Sequence, residues 1–515
     1  MLGSILSVGA WTLLSRITGF ARDVVMAAVL GAGGLMDVFA VAFRLPNHFR
    51  AIFGEGAFNA AFVPAFTRIR TQDGTAAANL FQGCILSLLL ISQVMVLLLA
   101  LFFTPAVIRL LAPGFSVDPQ KFALAVEVTR ITFPYLTLIT LVTLWSGALN
   151  ATGRFAVAAG APILLNLSLL VFVQLAFLFP TPAHAAGWGV FTAGILEAGL
   201  LAAAAWRAGV LVAPLKPTLS EDVRRFFKAF FPAVIGSAGV QIAMFADTIL
   251  ATLLPEGSAS ALYYADRIYQ LPLGVIAIAA GTVLLPVMSK RIAAEDFAGA
   301  YDAQNRTLAL TLLLAAPFWV ATLVIPELII GAVFQRGAFR EDSVRVAAQV
   351  LAAYGVGLIA AVSIRSIVAS FHARGDTTTP MVVSLVAVTL NVGLKLVLVD
   401  GLGVMGLALA TALGATLNLA ALVWIADNRR WIELDGTFGR AVACAGVAAA
   451  ALAGTILLTY PLIESSLGAW RFGKELRLIA HGLTGGTVYG AVALAMMRIT
   501  GLSLRRGGHQ QGEPT

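Results

Sequence analysis

The chain has 515 residues, 59% hydrophobic and only 12% charged, with a formal net charge of +8. Soluble globular proteins carry roughly 25% charged residues, so this composition excludes a water-soluble enzyme body and demands contact with lipid. The positive charge does not argue for nucleic acid, because Lys and Arg fall mainly between apolar runs, where membrane topology accounts for them.

Apolar runs near the roughly 20 residues that cross hydrocarbon recur from end to end. In chain order, spans are expected near Leu6–Leu30, Met36–Phe66, Leu80–Phe103, Val126–Leu149, Phe155–Phe179 and Ala185–Trp206. A second group follows near Phe226–Leu254, Ala261–Met288, Leu308–Phe334, Val344–Phe371, Pro380–Val399 and Gly401–Ile425, with two further runs at Ala441–Leu462 and Leu476–Met497. The fold class is therefore an all-α polytopic membrane protein of about fourteen helices. Met1 to Ala10 lacks a basic leader, and the run after it holds Arg16, Arg22 and Asp23 rather than a cleavage site, so it reads as a first span. Cys84 and Cys444 sit in separate apolar runs, as packing residues.

A cytoplasmic N-terminus places roughly eighteen Lys/Arg on that side and about seven on the other, which sets both termini in the cytoplasm. An internal repeat runs at an offset of about 222 residues. Val63-Pro64-Ala65-Phe66-Thr67-Arg68 resembles Leu285-Pro286-Val287-Met288-Ser289-Lys290, and Ala151-Thr152-Gly153 answers to Ala373-Arg374-Gly375. Six intervening spans, an even number, give both halves the same sense, so two parallel lobes are expected with an access-alternating cleft between them. The expected division is an N-lobe at 1–210, a C-lobe at 211–430, two extra spans at 431–500 and a cytoplasmic tail at 501–515.

Charge inside spans is expensive, and here it is uneven. The first two spans hold Arg16, Arg22, Asp23, Asp37, Arg44, Arg50 and Glu55, the eighth adds Asp266 and Arg267, and the third holds none. Arg16 and Asp23 lie seven apart, as do Asp37 and Arg44, so each pair shares a helical face where a carboxylate can hold a guanidinium. Arg still outnumbers acid in this set, and a planar, permanently charged fork suits a pyrophosphate or carboxylate-rich head group. Gly19, Pro46, Gly54, Gly56 and Pro272 interrupt the same helices, as in spans that line a cavity. In the second half Asp247, Arg365 and Lys395 stand alone, and Asp247 with Lys395 is expected to form a coupling pair. Gly401 to Gly406 fits a dinucleotide fingerprint but opens an apolar span with no strand before it, and no protease, P-loop or hydrolase motif occurs. The chain is expected not to be an enzyme.

Ser15-Arg16-Ile17-Thr18-Gly19-Phe20-Ala21-Arg22-Asp23, Arg44-Leu45-Pro46-Asn47, Glu55-Gly56-Ala57-Phe58 and Phe62-Val63-Pro64 resemble the MurJ/MviN lipid II flippases. Ala112-Pro113-Gly114-Phe115, Thr132-Phe133-Pro134-Tyr135, Tyr263-Tyr264-Ala265-Asp266-Arg267 and Leu284-Leu285-Pro286 extend the resemblance in order, nearly end to end. It implies the multidrug/oligosaccharidyl-lipid/polysaccharide (MOP) exporter fold, MATE-like, with the last two helices forming a groove for a polyprenyl tail. The implied cargo is lipid II, the undecaprenyl-pyrophosphate-linked peptidoglycan precursor, moved from the cytoplasmic to the periplasmic leaflet of the bacterial inner membrane. The implied partners are membrane lipids and the cell-wall synthesis machinery. Alternatives are another polyprenyl-pyrophosphate oligosaccharide as cargo, or a MATE-like drug antiporter. Arg16, Arg22, Asp37, Arg50 and Arg267 fall on family positions tied to a central cavity, and Asp23, Glu55 and Asp266 join them as candidates for head-group binding. Some family members resemble sodium carriers, with a carboxylate near an Asn such as Asn391. Lys395 occupies the neighbouring turn here, so no metal site is carried over and no cofactor is expected, the membrane potential supplying the drive.

Overall fold

The structure is a computed structural model that describes residues 2–54, 57–468, 470 and 472–503. Glu55, Gly56, Arg471 and most of the expected tail lie outside the described residues. Every regular element among those described is helical. Among the described residues, nine helices are long and apolar enough to cross a membrane, or ten if the bent pair Glu341–Val356 and Leu358–His372 is one span. Counting the more polar or interrupted first, second and seventh runs, and dividing the 51-residue helix at Gly403, gives a total consistent with the expected fourteen. Gly403 has φ +55, a left-handed turn that glycine accepts without a Cβ penalty.

Two compact units divide the chain, one holding Met1–Ser260 and Phe334–Ser343, the other Ala261–Val333 and Val344–Thr515. The first unit begins with α1 (Leu2–Leu30), α2 (Gly34–Gly54) and α3 (Ala57–Gln72). Next come α4 (Gly74–Phe102), α5 (Thr104–Leu111), α6 (Pro119–Thr132) and α7 (Tyr135–Ala151). The fourth expected span thus breaks at Phe133-Pro134, where proline lacks the N–H that would continue the ladder. Then follow α8 (Phe155–Gly160), α9 (Pro162–Gln174), α10 (Pro182–Arg207) and α11 (Glu221–Thr252). On α4 the charge-free run leaves Ile91, Met95, Leu98 and Leu99 exposed, as a lipid-facing surface requires.

Phenylalanines weld α3, α4 and α11 together. Phe62 stacks on Phe66 at 5.5 Å and on Phe81 at 5.8 Å, while Phe226 meets Phe58 edge-on at 5.6 Å. Each such pair adds about 0.5–1.5 kcal/mol beyond its burial. The seventh run, which opens the second half of the sequence repeat, therefore packs within the first unit. At the far end of α11 the backbone of Gly114 lies so close that a Cβ there would sit 1.7 Å from the Thr252 carbonyl oxygen. Gly114→Ala is expected to lower stability by about 3 kcal/mol, read as earlier thermal unfolding of the purified protein, because backbone cannot yield as a flexible side chain does.

The second unit contains α12 (Ser258–Pro272), whose first turn belongs to the first unit, and α13 (Ile278–Ala293). A π-helical turn at Leu273–Ala277 joins them, placing the break foreseen at Pro272 one turn beyond Arg267. The remaining helices are α14 (Phe297–Val324), α15 (Pro326–Phe334), α16 (Glu341–Val356), α17 (Leu358–His372), α18 (Thr378–Asn428), α19 (Gly436–Leu467) and α20 (Gly473–Thr500). Arg365 of α17 packs its Cβ 3.3 Å from the place a Gly281 Cβ would occupy, so α13 and α17 approach closely. The last two helices pair, and the Tyr489 hydroxyl ties α20 to α14 by donating to the Leu313 carbonyl at 2.6 Å. Leu457, Leu458 and Leu462 of α19, with Leu483 and Leu494 of α20, remain exposed.

Candidate functional site

Arg22 and Asp23 lie side by side on α1, and both are buried, at 8% and 3% exposure. Arg22 Nε and Nη2 donate to Asp23 Oδ1 at 3.0 and 2.7 Å, and Nη1 donates to Asn166 Oδ1 of α9 at 2.9 Å. Asn166 Nδ2 then donates back to the Ser15 carbonyl and the Thr18 hydroxyl at 2.9 and 3.1 Å. The amide reaches α1 because Gly19 is bare: a Cβ there would lie 3.4 Å from Asn166 Nδ2. The expected Arg16–Asp23 pairing is therefore replaced by Arg22–Asp23, and Arg16 is exposed on α1. A buried carboxylate takes the guanidinium that is itself buried beside it, since desolvation strengthens that pair most.

Arg50, half-buried near the end of α2, donates from Nε and Nη2 to Asn47 Oδ1 at 3.4 and 3.2 Å. Its charge also acts on two groups that the sequence reading passed over, Tyr135 of α7 and Glu197 of α10. The Tyr135 hydroxyl donates to Glu197 Oε2 at 3.1 Å, with both side chains buried, and Arg22 acts electrostatically on the same hydroxyl. One glutamate in the apolar run Ala185–Trp206 was the available signal, and Asn166 inside α9 was another.

Asp37 has a different occupation from the one its spacing suggested. It is 3% exposed, and its Oδ1 accepts from the Ser260 N–H at 2.9 Å and the Ser260 hydroxyl at 2.6 Å. Its Oδ2 accepts from the Gly257 N–H at 2.8 Å and from Lys121 Nζ at 3.2 Å. The carboxylate thus caps the N-terminus of α12, where orphan N–H groups and the helix dipole both favour an anion, instead of holding Arg44.

In the second unit the Arg267 guanidinium lies over the Tyr263 ring at 4.6 Å, and Asp266 Oδ2 accepts from Gln270 Nε2 at 2.7 Å. Lys395 of α18 is completely buried, one turn after Asn391, whose side chain lies against Gly414. Asp247 is half-buried on α11 in the first unit, whereas Lys395 belongs to the second. No group of three or more His, Cys, Asp or Glu among the described residues is arranged to hold a metal ion.

Residues 26–481 match the model of the family described as Lipid II flippase MurJ. The chain is 37% identical over 500 residues to the probable lipid II flippase MurJ of Rhizobium meliloti (strain 1021), covering 95% of this chain and 93% of that protein. Against the lipid II flippase MurJ of Burkholderia cenocepacia it is 32% identical over 434 residues, 83% of this chain and 84% of that one. Among solved structures it is similar to lipid II flippase MurJ in an inward closed conformation, with a TM-score of 0.81, 23% identity, and 96% of this chain and 99% of that chain covered. An inward-facing multidrug resistance MATE transporter of the MOP superfamily shares the fold at a TM-score of 0.68 and 15% identity, over 83% of this chain and 98% of that chain.

Proposed function

Because the chain belongs to the lipid II flippase MurJ family, we propose that it carries lipid II across the bacterial inner membrane, from the cytoplasmic to the periplasmic leaflet, both termini being cytoplasmic. The observation that supports this most is the gathering of Arg22 and Arg50, on α1 and α2, inside a helical membrane unit. Guanidinium groups kept charged in a low-dielectric interior suit phosphate oxygens, which they bind through two parallel N–H bonds. Arg16 on the exposed side of α1 meets the head group first, Arg22 and Arg50 hold it, and Arg267 contributes from α12. Asp23 orients Arg22. Asp37 holds the α12 turn.

The polyprenyl tail stays in lipid along the exposed leucines of α19 and α20 while the head group alone crosses by alternating access. An inside-negative potential supplies about 2.3 kcal/mol per charge per 100 mV and drives an anion outward, so no nucleotide is required. Asp247 and Lys395 are assigned as a coupling pair. If they work together, Asp247→Asn and the double change Asp247→Asn/Lys395→Leu will not impair transport independently.

A leaflet-accessibility assay for lipid II, in cells depleted of this protein and complemented with Arg16→Ala, Arg50→Ala or Arg267→Ala, tests the site. Each variant is expected to accumulate at normal level and to lose at least about tenfold in flipping, the loss of a charge-assisted contact worth about 1.5–3 kcal/mol. Full flipping by all three would remove the basis for an arginine-held head group, and normal lipid II flipping alongside a lost second polyprenyl-linked glycan would redirect the cargo.

A further inference from the structure

Glu197 is a buried acid outside the proposed head-group contacts. It is 2% exposed and sits beyond the middle of α10, between an apolar run and a string of alanines. The Tyr135 hydroxyl reaches it because Gly194, one turn earlier, is bare: a Cβ there would lie 2.8 Å from the Tyr135 ring. A tyrosine O–H serves a carboxylate and the carbonyl oxygen of a neutral carboxylic acid equally well, so this contact survives a change of protonation.

The charged neighbours on every helix packed against α10 are few. The helices α8 and α9 and the short turn at 176–178 carry no titratable residue, and α7 carries Tyr135 alone. On α6, Lys121 is bonded to Asp37, Glu127 is bonded to His184 of the first turn of α10, and Arg130 is exposed. The first two helices supply Arg16, Arg22 and Asp23 from α1, with Asp37, Arg44, His48 and Arg50 from α2. Arg50 is the group among these whose charge acts on the Glu197 carboxyl.

We propose that Glu197 is the exchangeable counter-charge of Arg50, ionised while Arg50 is unliganded and taking up one proton from water when phosphate oxygens engage that guanidinium. The inference rests on the reading of Arg50 as a head-group ligand. An anion arriving at Arg50 satisfies the cation and places a second negative charge near a buried carboxylate, which two acids in low dielectric do not tolerate. The proton passes from bulk water to a Glu197 carboxyl oxygen and leaves again when the anion departs. Each loaded carrier then moves one negative charge fewer than its cargo bears.

The test is calorimetry on the purified full-length protein with farnesyl-diphospho-N-acetylglucosamine, a diphosphate diester of constant charge near neutral pH, in buffers of different ionisation enthalpy. The expected result is about one proton taken up per ligand, with affinity rising up to about tenfold for each pH unit lowered. Glu197→Gln is expected to bind with no uptake and no pH slope, at the affinity the wild type reaches in acid, while Glu197→Asp keeps both. Binding without uptake in the wild type, or uptake that persists in Glu197→Gln, overturns the proposal and leaves the anion site standing. Failure of the wild type to bind the probe, or equal binding by Arg50→Ala, removes the head-group reading and this proposal with it.

Discussion

Arg22→Ala is expected to abolish flipping and to remove about 3–5 kcal/mol of stability, because it withdraws the cation from a buried, hydrogen-bonded carboxylate. This one guanidinium donates two N–H bonds to Asp23 and one to Asn166. The last of these spans from α1 to α9, so its loss loosens two helices as well as a charge. Arg22→Lys is not expected to rescue, since an ammonium is a single point and cannot serve Asp23 and Asn166 in the geometry of a planar fork. Asn166→Ala separates the two roles: it keeps the ion pair and is expected to lose about 1.5–3 kcal/mol, the range for a hydrogen bond to a charged group. Thermal unfolding of the purified variants and the leaflet-accessibility assay read the two effects. An Arg22→Ala protein that melts and flips like the wild type would show that the buried network bears on neither.

How much of this was legible depended on whether a signal was local. Apolar runs announce helices in lipid because each span must satisfy its own backbone hydrogen bonds, and Pro272 sits beside a break for the same reason, whereas the breaks at Pro134 and Pro162 fall inside runs expected to be continuous. The charged residues of α1 and α2 stood out by type, but their partners did not. Heptad spacing pointed Asp23 to Arg16 and Asp37 to Arg44, whereas the structure hands them Arg22 in one case and backbone N–H groups of residues 257 and 260 in the other. Helical periodicity tells which residues share a face and says nothing of what the next helix brings to it. Asn166 and Glu197 were visible only as single polar letters in apolar runs, and the hydrogen bonds that give them meaning cross 144 and 62 residues.

Asp37→Asn is expected to be nearly as damaging as Asp37→Ala, with each losing about 3–5 kcal/mol of stability. The carboxylate offers acceptors on both oxygens: one faces the Ser260 N–H and hydroxyl, the other the Gly257 N–H and the Lys121 ammonium. An amide keeps the shape but turns one of those oxygens into an NH2 group, setting donor against donor and leaving the half-buried Lys121 ammonium beside a neutral group. Because this side chain pins α2 to the turn between α11 and α12, the transport defect should follow from lost geometry and not from a lost ligand contact. Growth at lower temperature is therefore expected to restore part of the flipping in Asp37→Asn and none in Arg50→Ala. Hydrogen exchange should show the same cause directly, as faster exchange of the Gly257 and Ser260 amides in the Asn variant. Unchanged protection of those two amides, together with a transport loss that cooling does not relieve, would move Asp37 from a strut to a residue that meets the cargo.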